Sequence, residues 1–381
     1  MIVRFEDVIT RVTGNVDRYN TDLEYYVGGD QYDSSALTIE RRGDLKKDVD
    51  LLGFKFHFPF KSGDVLLMAR NPHLRKAGQV FFDGLCSDAS YILRTKNPGV
   101  LLQDFIPILL QRDHFWDFFE SHKTGGITFL MNWGMLKTYK FDLPPIEKQR
   151  EVMEKVWAAY RLKQSYQKLI AATDEMVKSR FIEMFGGTRT SAKWPKAKLA
   201  EIVDPDCPIS YGIVQPDDDV KDGVPIVRPV DLNAGLYIKK EGLKCTKPDI
   251  SNAYKRTVLR GEELLLCVRG ATGLMGIATE ELKGANVTRG ITPLFFKHGI
   301  NRFYILGAFL SDEIQSYIKE HTIGSTLKGI NMEEVRKIEF PVPPIILQNK
   351  YEQIFKQADK SKFELKQAIE KIDKVMRALM Q

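Results

Sequence analysis

The sequence predicts an α+β protein with an internal pseudo-two-fold repeat, in which two similar strand-rich domains are combined with two long antiparallel coiled-coil helices. Two observations carry this prediction. Residues 321–348 repeat residues 122–149 without a gap, about 199 positions later. Each copy ends in a Pro-Pro pair that is followed by a long segment with heptad spacing. Solenoid units are only about 20–50 residues long, so a repeat of this size indicates a duplicated domain.

Within each domain, short β-like runs come first and a helical stretch follows. The second domain has such runs at 225–230 and 261–266, and helical spacing of apolar residues recurs at 101–120 and 303–318. In the first domain the runs, with turn signals between them, are 24–27, 54–58, 64–68 and 91–94. Strands followed by helices in one compact segment are typical of an α+β domain.

The two long segments have the spacing of paired helices. Residues 146–185 contain no Pro or Gly, and the Pro-Pro pair before them suits the first helical turn, because its φ is preset and no needed donor is lost. Neither helix would be stable alone in water, so we expect them to pair intramolecularly, with Lys163, Gln167 and Asp174 as polar register residues. The other predicted seam positions are Met153, Val156, Tyr160, Ile170, Val177, Phe181, Met184, Ile354, Ala358, Ser361, Leu365, Ala368, Ile372, Val375 and Leu379.

The predicted domain division is therefore 1–145, 146–187, 188–344 and 345–381. Net charge is +6 overall, yet residues 1–145 hold 18 Lys and Arg against 19 Asp and Glu. No segment is strongly basic, so nucleic-acid binding would depend on local patches or on a partner.

Composition also narrows the location and the chemistry. The chain has no apolar run of 18 residues and no secretory signal, which predicts a cytoplasmic protein without a membrane span. Its four cysteines form no CxxC pair and have no metal-site spacing with histidine, so we expect reduced thiols, no metal and no cofactor. The candidate thiols are Cys86, Cys207, Cys245 and Cys267.

Five sequence stretches carry a family resemblance. The family that the chain resembles is the specificity subunit of type I restriction–modification systems. Three helical stretches carry this resemblance: LPPIEKQREVMEKV, the segment ending KSRFIEMFG and the second PPxxxQ helix. Tyr211–Ile238 and Gly261–Gly276 are similar to parts of that family's target-recognition domains. The resemblance covers essentially the whole chain in the family's order, and the helical segments are its specific part.

The resemblance implies a subunit without catalytic activity. Each recognition domain would read one half of a bipartite sequence in double-stranded DNA, while the helices set the spacing between the halves. The helices would also dock two methyltransferase subunits, and the full complex would add two restriction/translocase subunits. The first domain lacks a close match to YGIVQP, so the two half-sites should differ.

Base reading needs side chains such as Arg, Lys, Asn and Gln on loops or helix ends. Two loops that follow corresponding strands, beginning at Arg70 and Arg269, are rich in such donors. The predicted DNA-binding residues are Arg70, Asn71, Arg75, Lys76, Tyr211, Gln215, Arg269, Thr272 and Arg289. The alternative for each is a solvated basic loop.

Residues at the helix starts have two open interpretations. They could cap the helix or face a partner subunit; these are Glu147, Gln149, Arg150 and Gln348. The matched pairs Asn132/Asn331 and His122/His321 are interpreted as caps and structural histidines, and Asp217–Asp219 as a solvated turn.

The sequence lacks the motifs of two enzymatic function classes. An adenine methyltransferase needs an Asn/Asp-Pro-Pro-aromatic motif, but the Pro-Pro pairs follow Leu143 and Val342. An ATP-driven motor needs a GxxxxGK[ST] loop, which the sequence does not contain. The remaining alternative is a non-catalytic coiled-coil scaffold that joins two protein-binding domains.

Overall fold

The computed structural model of the chain describes residues 1–122, 129–186, 193–324 and 328–381. The chain forms two compact units, Met1–Lys168 with Leu365–Gln381, and Leu169–Glu364. Each unit thus contains part of both long helices, whereas the division predicted from sequence treats the helices as separate segments. The predicted boundary between residues 187 and 188 lies outside the described residues, as does Gly125 of the repeat.

The strands of the first unit form three sheets. Two have four strands, in the orders β2-β9-β6-β7 and β4-β3-β8-β5, and β1 pairs with β10. Pro59 is tolerated inside β5 because that strand lies at a sheet edge. The strands are β1 (Ile2–Arg4), β2 (Ile9–Val12), β3 (Tyr25–Val27), β4 (Gly43–Asp44), β5 (Phe56–Phe60), β6 (Val65–Met68), β7 (Ala77–Gln79), β8 (Gly84–Ser87), β9 (Ser90–Thr95) and β10 (Lys140–Asp142).

The helical stretch predicted at 101–120 is broken in two. The chain turns at Gln111, whose amide donates to the carbonyls of Ala36 and Ala77, and Arg112 is extended. These side-chain hydrogen bonds hold the turn between the two helices. The helices of the unit are α1 (Phe5–Val8), α2 (Leu45–Asp48), α3 (Ile106–Leu110), α4 (Asp113–Ser121) and α5 (Trp133–Leu136), followed by the long α6 (Ile146–Phe185).

The second unit has a similar order of elements, but it lacks counterparts of β2 and β5 and has an additional short hairpin before its last short helix. Its strands are β11 (Lys196–Lys198), β12 (Val224–Val227), β13 (Lys244–Thr246), β14 (Leu264–Cys267), β15 (Met275–Ile277), β16 (Asn286–Val287), β17 (Ile291–Leu294), β18 (Thr322–Ile323), β19 (Gly329–Ile330) and β20 (Glu339–Pro341). The stretch predicted at 303–318 is again two helices. The helices are α7 (Leu199–Ile202), α8 (Pro248–Ala253), α9 (Arg302–Phe309), α10 (Asp312–Glu320), α11 (Met332–Lys337) and α12 (Ile345–Met380).

Strand pairing confirms the repeat in three dimensions. Val27 pairs in parallel with Cys86, as Val227 does with Val287. The central antiparallel pairs β6–β9 and β14–β17 also correspond, and every residue of β6 and β14 is buried. Continuous apolar runs are expected for strands covered on both faces. The predicted α+β fold with an internal repeat and two long helices is therefore confirmed.

The long helices run antiparallel, as contacts inside each unit show. In the first unit, Lys163 of α6 forms an ion pair with Asp373 near the end of α12, at 2.6 Å. In the second unit, Lys362 of α12 pairs with Asp174 of α6, also at 2.6 Å. Lys163 and Lys362 occupy matching repeat positions, as do Asp174 and Asp373. Two of the three predicted polar register residues thus pair across the helices, while Gln167 is exposed.

The apolar seam differs from the prediction in two ways: the predicted positions Ser361 and Val375 are exposed, and residues outside the predicted seam pack in it. Val375 is 54% exposed, and the adjacent Met376 is buried in the core of the first unit with Val156 and Tyr160. In the second unit, Phe181 of α6 packs with Tyr351 of α12, which heptad spacing did not select. Both differences arise because the helices bury side chains against their globular domains as well as against each other.

One glutamine attaches each long helix to its own domain. Gln149 accepts from the Leu102 amide and donates to the carbonyls of Val100 and Pro144. Gln348 accepts from the Asn301 amide and donates to the carbonyls of Gly299 and Pro343. Both side chains are fully buried, so the idea that they face a partner subunit is wrong.

We expect Gln348→Leu to destabilise the protein by about 1–3 kcal/mol, because the part-buried backbone amide of Asn301 and the carbonyls of Gly299 and Pro343 would lose their hydrogen bonds to the buried Gln348 side chain. The measurement is the free energy of unfolding from urea denaturation. Gln353→Leu, at an exposed position of α12, is the matched control and should change stability little. Equal effects of the two substitutions would refute the anchoring role of Gln348.

Candidate nucleic-acid interface

One loop arginine occupies the same place in each unit. Arg70 follows β6 and forms an antiparallel bridge with Leu130, while Arg269 follows β14 and bridges Gly329 in the same way. The loop after Arg269 continues through Gly270, whose φ of +84° is in the region that favours glycine. The backbone of each arginine is therefore held both by the strand that precedes it and by the bridge to a second segment.

In the second unit, three predicted residues come together. The guanidinium carbon of Arg269 lies 5.4 Å from the ring centroid of Tyr211, and that of Arg289 lies 5.8 Å from the same centroid. These distances are within the range of cation–π attraction. With the described residues, neither guanidinium group forms an ion pair, so both keep donors for an outside ligand.

The other predicted residues of this unit contribute less to the cluster. Gln215 is exposed, and no contact joins it to the described cluster residues. The hydroxyl of Thr272 is buried and has no hydrogen-bond partner among the described residues, so it does not reach the surface as base reading requires. Lys328 was not predicted, but its carbonyl accepts from the Gly270 amide and its side chain is exposed beside the loop.

In the first unit, two predicted donors are used inside the domain. Arg75 donates to the carboxylate of Asp113, and Lys76 donates to the carbonyl of Gly29 at 2.7 Å. Both charged groups hold the loop, so we expect a structural role for them in place of the predicted base reading. Arg70 remains exposed, and Asn71 has a positive φ of 54° before the short turn Pro72–Leu74.

The first unit contains an arginine that sequence reasoning missed. Arg11 of β2 lies 4.6 Å from the ring centroid of Tyr91 and 6.0 Å from that of Trp133. The Tyr91 hydroxyl donates to the carbonyl of Met131, whose amide donates back to Ala69, next to Arg70. Nothing in the sequence links Arg11 to this loop, because strand pairing alone brings them together.

The corresponding strands place opposite charges beside the two loops. Val268 donates to the carbonyl of Gly290, as Ala69 does to that of Ala89. The residue before Gly290 is Arg289, whereas the residue before Ala89 is Asp88, which pairs with Lys55 at 2.8 Å. The second unit therefore presents an additional arginine where the first presents an aspartate.

Other arginines are structural. Arg94 donates two hydrogen bonds to the largely buried Asp64, and this contact raises the pKa of the guanidinium group. Arg228 is held in the same way by Asp231, which likewise raises its pKa. Such bidentate pairs leave few donors for a ligand, so these residues are not part of the interface.

The remaining predicted features have local roles. His122 and His321 contact the carbonyls of Phe118 and Tyr317 four residues earlier, which agrees with the structural interpretation. Asn132 caps α5 with its side chain, while Asn331 precedes α11 without a side-chain cap bond. In the turn 217–219, Asp219 accepts from the Cys245 amide. Glu147 and Arg150 are exposed at the start of α6.

The cysteines are free thiols. Burial raises the pKa of Cys207 to about 11 and that of Cys86 to about 12, so both stay protonated at neutral pH. Within the described ranges there is no group of three or more His, Cys, Asp or Glu side chains that could hold a metal ion. No described helix has the length and apolar character needed to cross a membrane.

Comparison with known proteins identifies a family. Residues 194–374 match the family model of the type I restriction modification DNA specificity domain. The type I restriction enzyme EcoBI specificity subunit of Escherichia coli is 26% identical over 192 residues, which are 49% of this chain and 40% of that protein. The chain thus matches well under two thirds of the length of that curated relative.

Two solved structures share the fold over the whole chain. One, from work on complex assembly and conformational transition of the type I R-M system, has a TM-score of 0.57 at 19% identity and covers 100% of this chain and 96% of that one. The other, the type I restriction-modification S subunit from M. genitalium, has a TM-score of 0.55 at 13% identity and covers 100% and 94%. Residues 194–374 thus match the type I restriction modification DNA specificity domain, and the solved structures show that the fold of such proteins extends over the whole chain.

Proposed function

We propose that this chain is the non-catalytic subunit that reads a bipartite DNA sequence for a type I restriction–modification complex. One observation carries the proposal: the same loop arginine is presented twice, at Arg70 and Arg269, on backbones with corresponding pairing. A protein that does one binding task twice needs such a duplicated site. Arginine is also the side chain that most often makes specific contacts to guanine in the major groove.

The surroundings of the two arginines support different half-sites. In the second unit, Arg269 and Arg289 share the ring of Tyr211. In the first unit, a different arginine, Arg11, lies over the rings of Tyr91 and Trp133. At the position of Arg289, whose guanidinium group has no ion-pair partner among the described residues, the first unit has Asp88, which is paired with Lys55. We therefore expect the two halves of the target to be unrelated in sequence.

The low net charge and the exposed apolar residues of the long helices support binding of partner subunits. Leu169 and Met176 lie seven residues apart on α6, on one face of the helix, and are 51% and 41% exposed. Ile346 at the start of α12 is 78% exposed. We propose that such positions dock two methyltransferase subunits, that two restriction/translocase subunits join the full complex, and that the complex acts in the cytoplasm.

We expect the isolated chain to bind its target weakly, with affinity rising by on the order of a hundredfold when methyltransferase subunits are added. The reason is that no segment carries a large positive charge. A gel-shift titration with a duplex that carries the bipartite motif measures this, the motif being read from the methylome of cells that contain the chain and its partners. Affinity should fall by about tenfold between about 50 and 200 mM salt for every two phosphates neutralised.

A duplex of the same composition with both half-sites shuffled is the control. The scaffold alternative predicts equal binding of the two duplexes, with or without methyltransferase. Unchanged target affinity on adding methyltransferase would show that the chain alone supplies the phosphate contacts, against the proposed assembly.

A further inference from the structure

The ring of Tyr211 lies against two guanidinium groups that come from different loops, one after β14 and one between β16 and β17. We propose that Tyr211 is a positioning residue that holds Arg269 and Arg289 as one reading unit, so that selection at two bases of one half-site depends on a single aromatic ring. This inference rests on the proposed DNA-reading function of the cluster. It assigns to Tyr211 a role through the arginines instead of a DNA contact of its own.

The geometry gives the ring two cationic neighbours. Arg269 and Arg289 lie 5.4 Å and 5.8 Å from its centroid, measured from the guanidinium carbons. The ring itself is half-buried and packs on the core of the second unit, so it cannot swing away with the side chains above it. A flexible arginine that is already held loses less rotamer freedom when it contacts a base.

The backbone around the ring allows little adjustment. The amide of Arg289 donates to the carbonyl of Ile213 at 2.7 Å, which ties its segment to that of Tyr211. A Cβ atom on Gly212 would lie 2.1 Å from the carbonyl oxygen of Val287. On Gly290, a Cβ would lie 2.4 Å from the Pro229 side chain. Glycines on both sides therefore let these segments approach closely enough for one ring to serve both arginines.

The hydroxyl of Tyr211 does not position the two arginines. It forms no hydrogen bond with the described part of the chain, whereas both arginines approach the ring centroid. The attraction of a cation to an aromatic face is retained by phenylalanine. Tyr211→Phe should accordingly preserve positioning, Tyr211→Leu should fill the volume without the attraction, and Tyr211→Ala should remove both.

The test measures base discrimination by the full chain with its methyltransferase subunits. Duplexes carry each single-base change in the half-site that the second unit reads, and Arg269→Ala and Arg289→Ala first identify the two bases concerned. Tyr211→Ala should reduce discrimination at both of those bases by about 5- to 30-fold, with the dependence of affinity on salt unchanged. Tyr211→Leu should resemble Tyr211→Ala, and Tyr211→Phe should resemble the unsubstituted chain.

The other half-site, read through Arg70 in the first unit, is the internal control for assembly and DNA binding and should be discriminated normally by every Tyr211 variant, while normal discrimination at the remaining bases of the second unit's half-site shows that this unit is folded. A loss in Tyr211→Phe equal to that in Tyr211→Ala would mean that the hydroxyl contacts DNA, which overturns the inference. An effect at one base only, or a uniform loss on all duplexes, would overturn it as well. If neither arginine substitution changes any base preference, the proposed function of this cluster fails, and the inference fails with it.

Discussion

Arg269→Ala is expected to weaken binding of the target by about 1–3 kcal/mol, concentrated at one base pair of one half-site. The guanidinium group lies on Tyr211, has no ion-pair partner among the described residues, and is held by the bridge of its backbone to Gly329. If this group donates to a guanine edge, its removal costs the bidentate contact only where that guanine stands. The measurement is competition binding with duplexes that carry single-base changes.

Arg70→Ala provides the matched control, because Arg70 holds the corresponding backbone position in the first unit. Arg70→Ala should weaken binding at the half-site that the first unit reads and leave binding at the half-site read through Arg269 unchanged. Arg75→Ala is a second control: its guanidinium is paired with Asp113, so we expect a loss of loop stability without a shift in base preference. A loss for Arg269→Ala that is uniform over all duplexes would make Arg269 a phosphate contact, and no loss would make it a solvated loop residue.

The sequence was sufficient to predict the fold because the repeat and the heptad spacing are periodic. Pro-Pro pairs mark the starts of α6 and α12, and the absence of Pro and Gly over 146–185 allows one continuous helix. The break between α3 and α4 was not predictable, since it depends on hydrogen bonds from Gln111 to carbonyls about 34 and 75 residues away in the chain.

The interface residues could be predicted only where donors follow the ends of corresponding strands in the two units. Arg70 and Arg269 follow matching buried strands, so their places could be read directly. Whether a donor is free depends on tertiary partners, and the sequence did not show that Asp113 takes up Arg75 or that Gly29 takes up Lys76. Arg11 was missed for the converse reason, because it reaches Tyr91 only through strand pairing.

Lengthening both helices by one heptad is expected to widen the gap between the two half-sites by about three base pairs. Seven residues add about 10 Å to a helix, and B-DNA rises about 3.4 Å per base pair. The structure indicates where to insert them. Insertion after Lys168 in α6 and after Glu364 in α12 leaves every contact inside each compact unit unchanged, including the Lys163–Asp373 and Asp174–Lys362 ion pairs.

The readout is the methylome of cells that carry the lengthened chain with its partners, since methylation marks the sequence that is recognised. Both half-sites should persist, because each unit keeps its own interface, and only the spacer should grow. Total methylation should be reduced, because seven residues fall about 20° short of two full helical turns and rotate the added segment. Insertion of four residues in each helix is the control: it breaks the heptad seam and should abolish methylation of the target. Altered half-sites, or an unchanged spacer, would show that the helices do not set the distance.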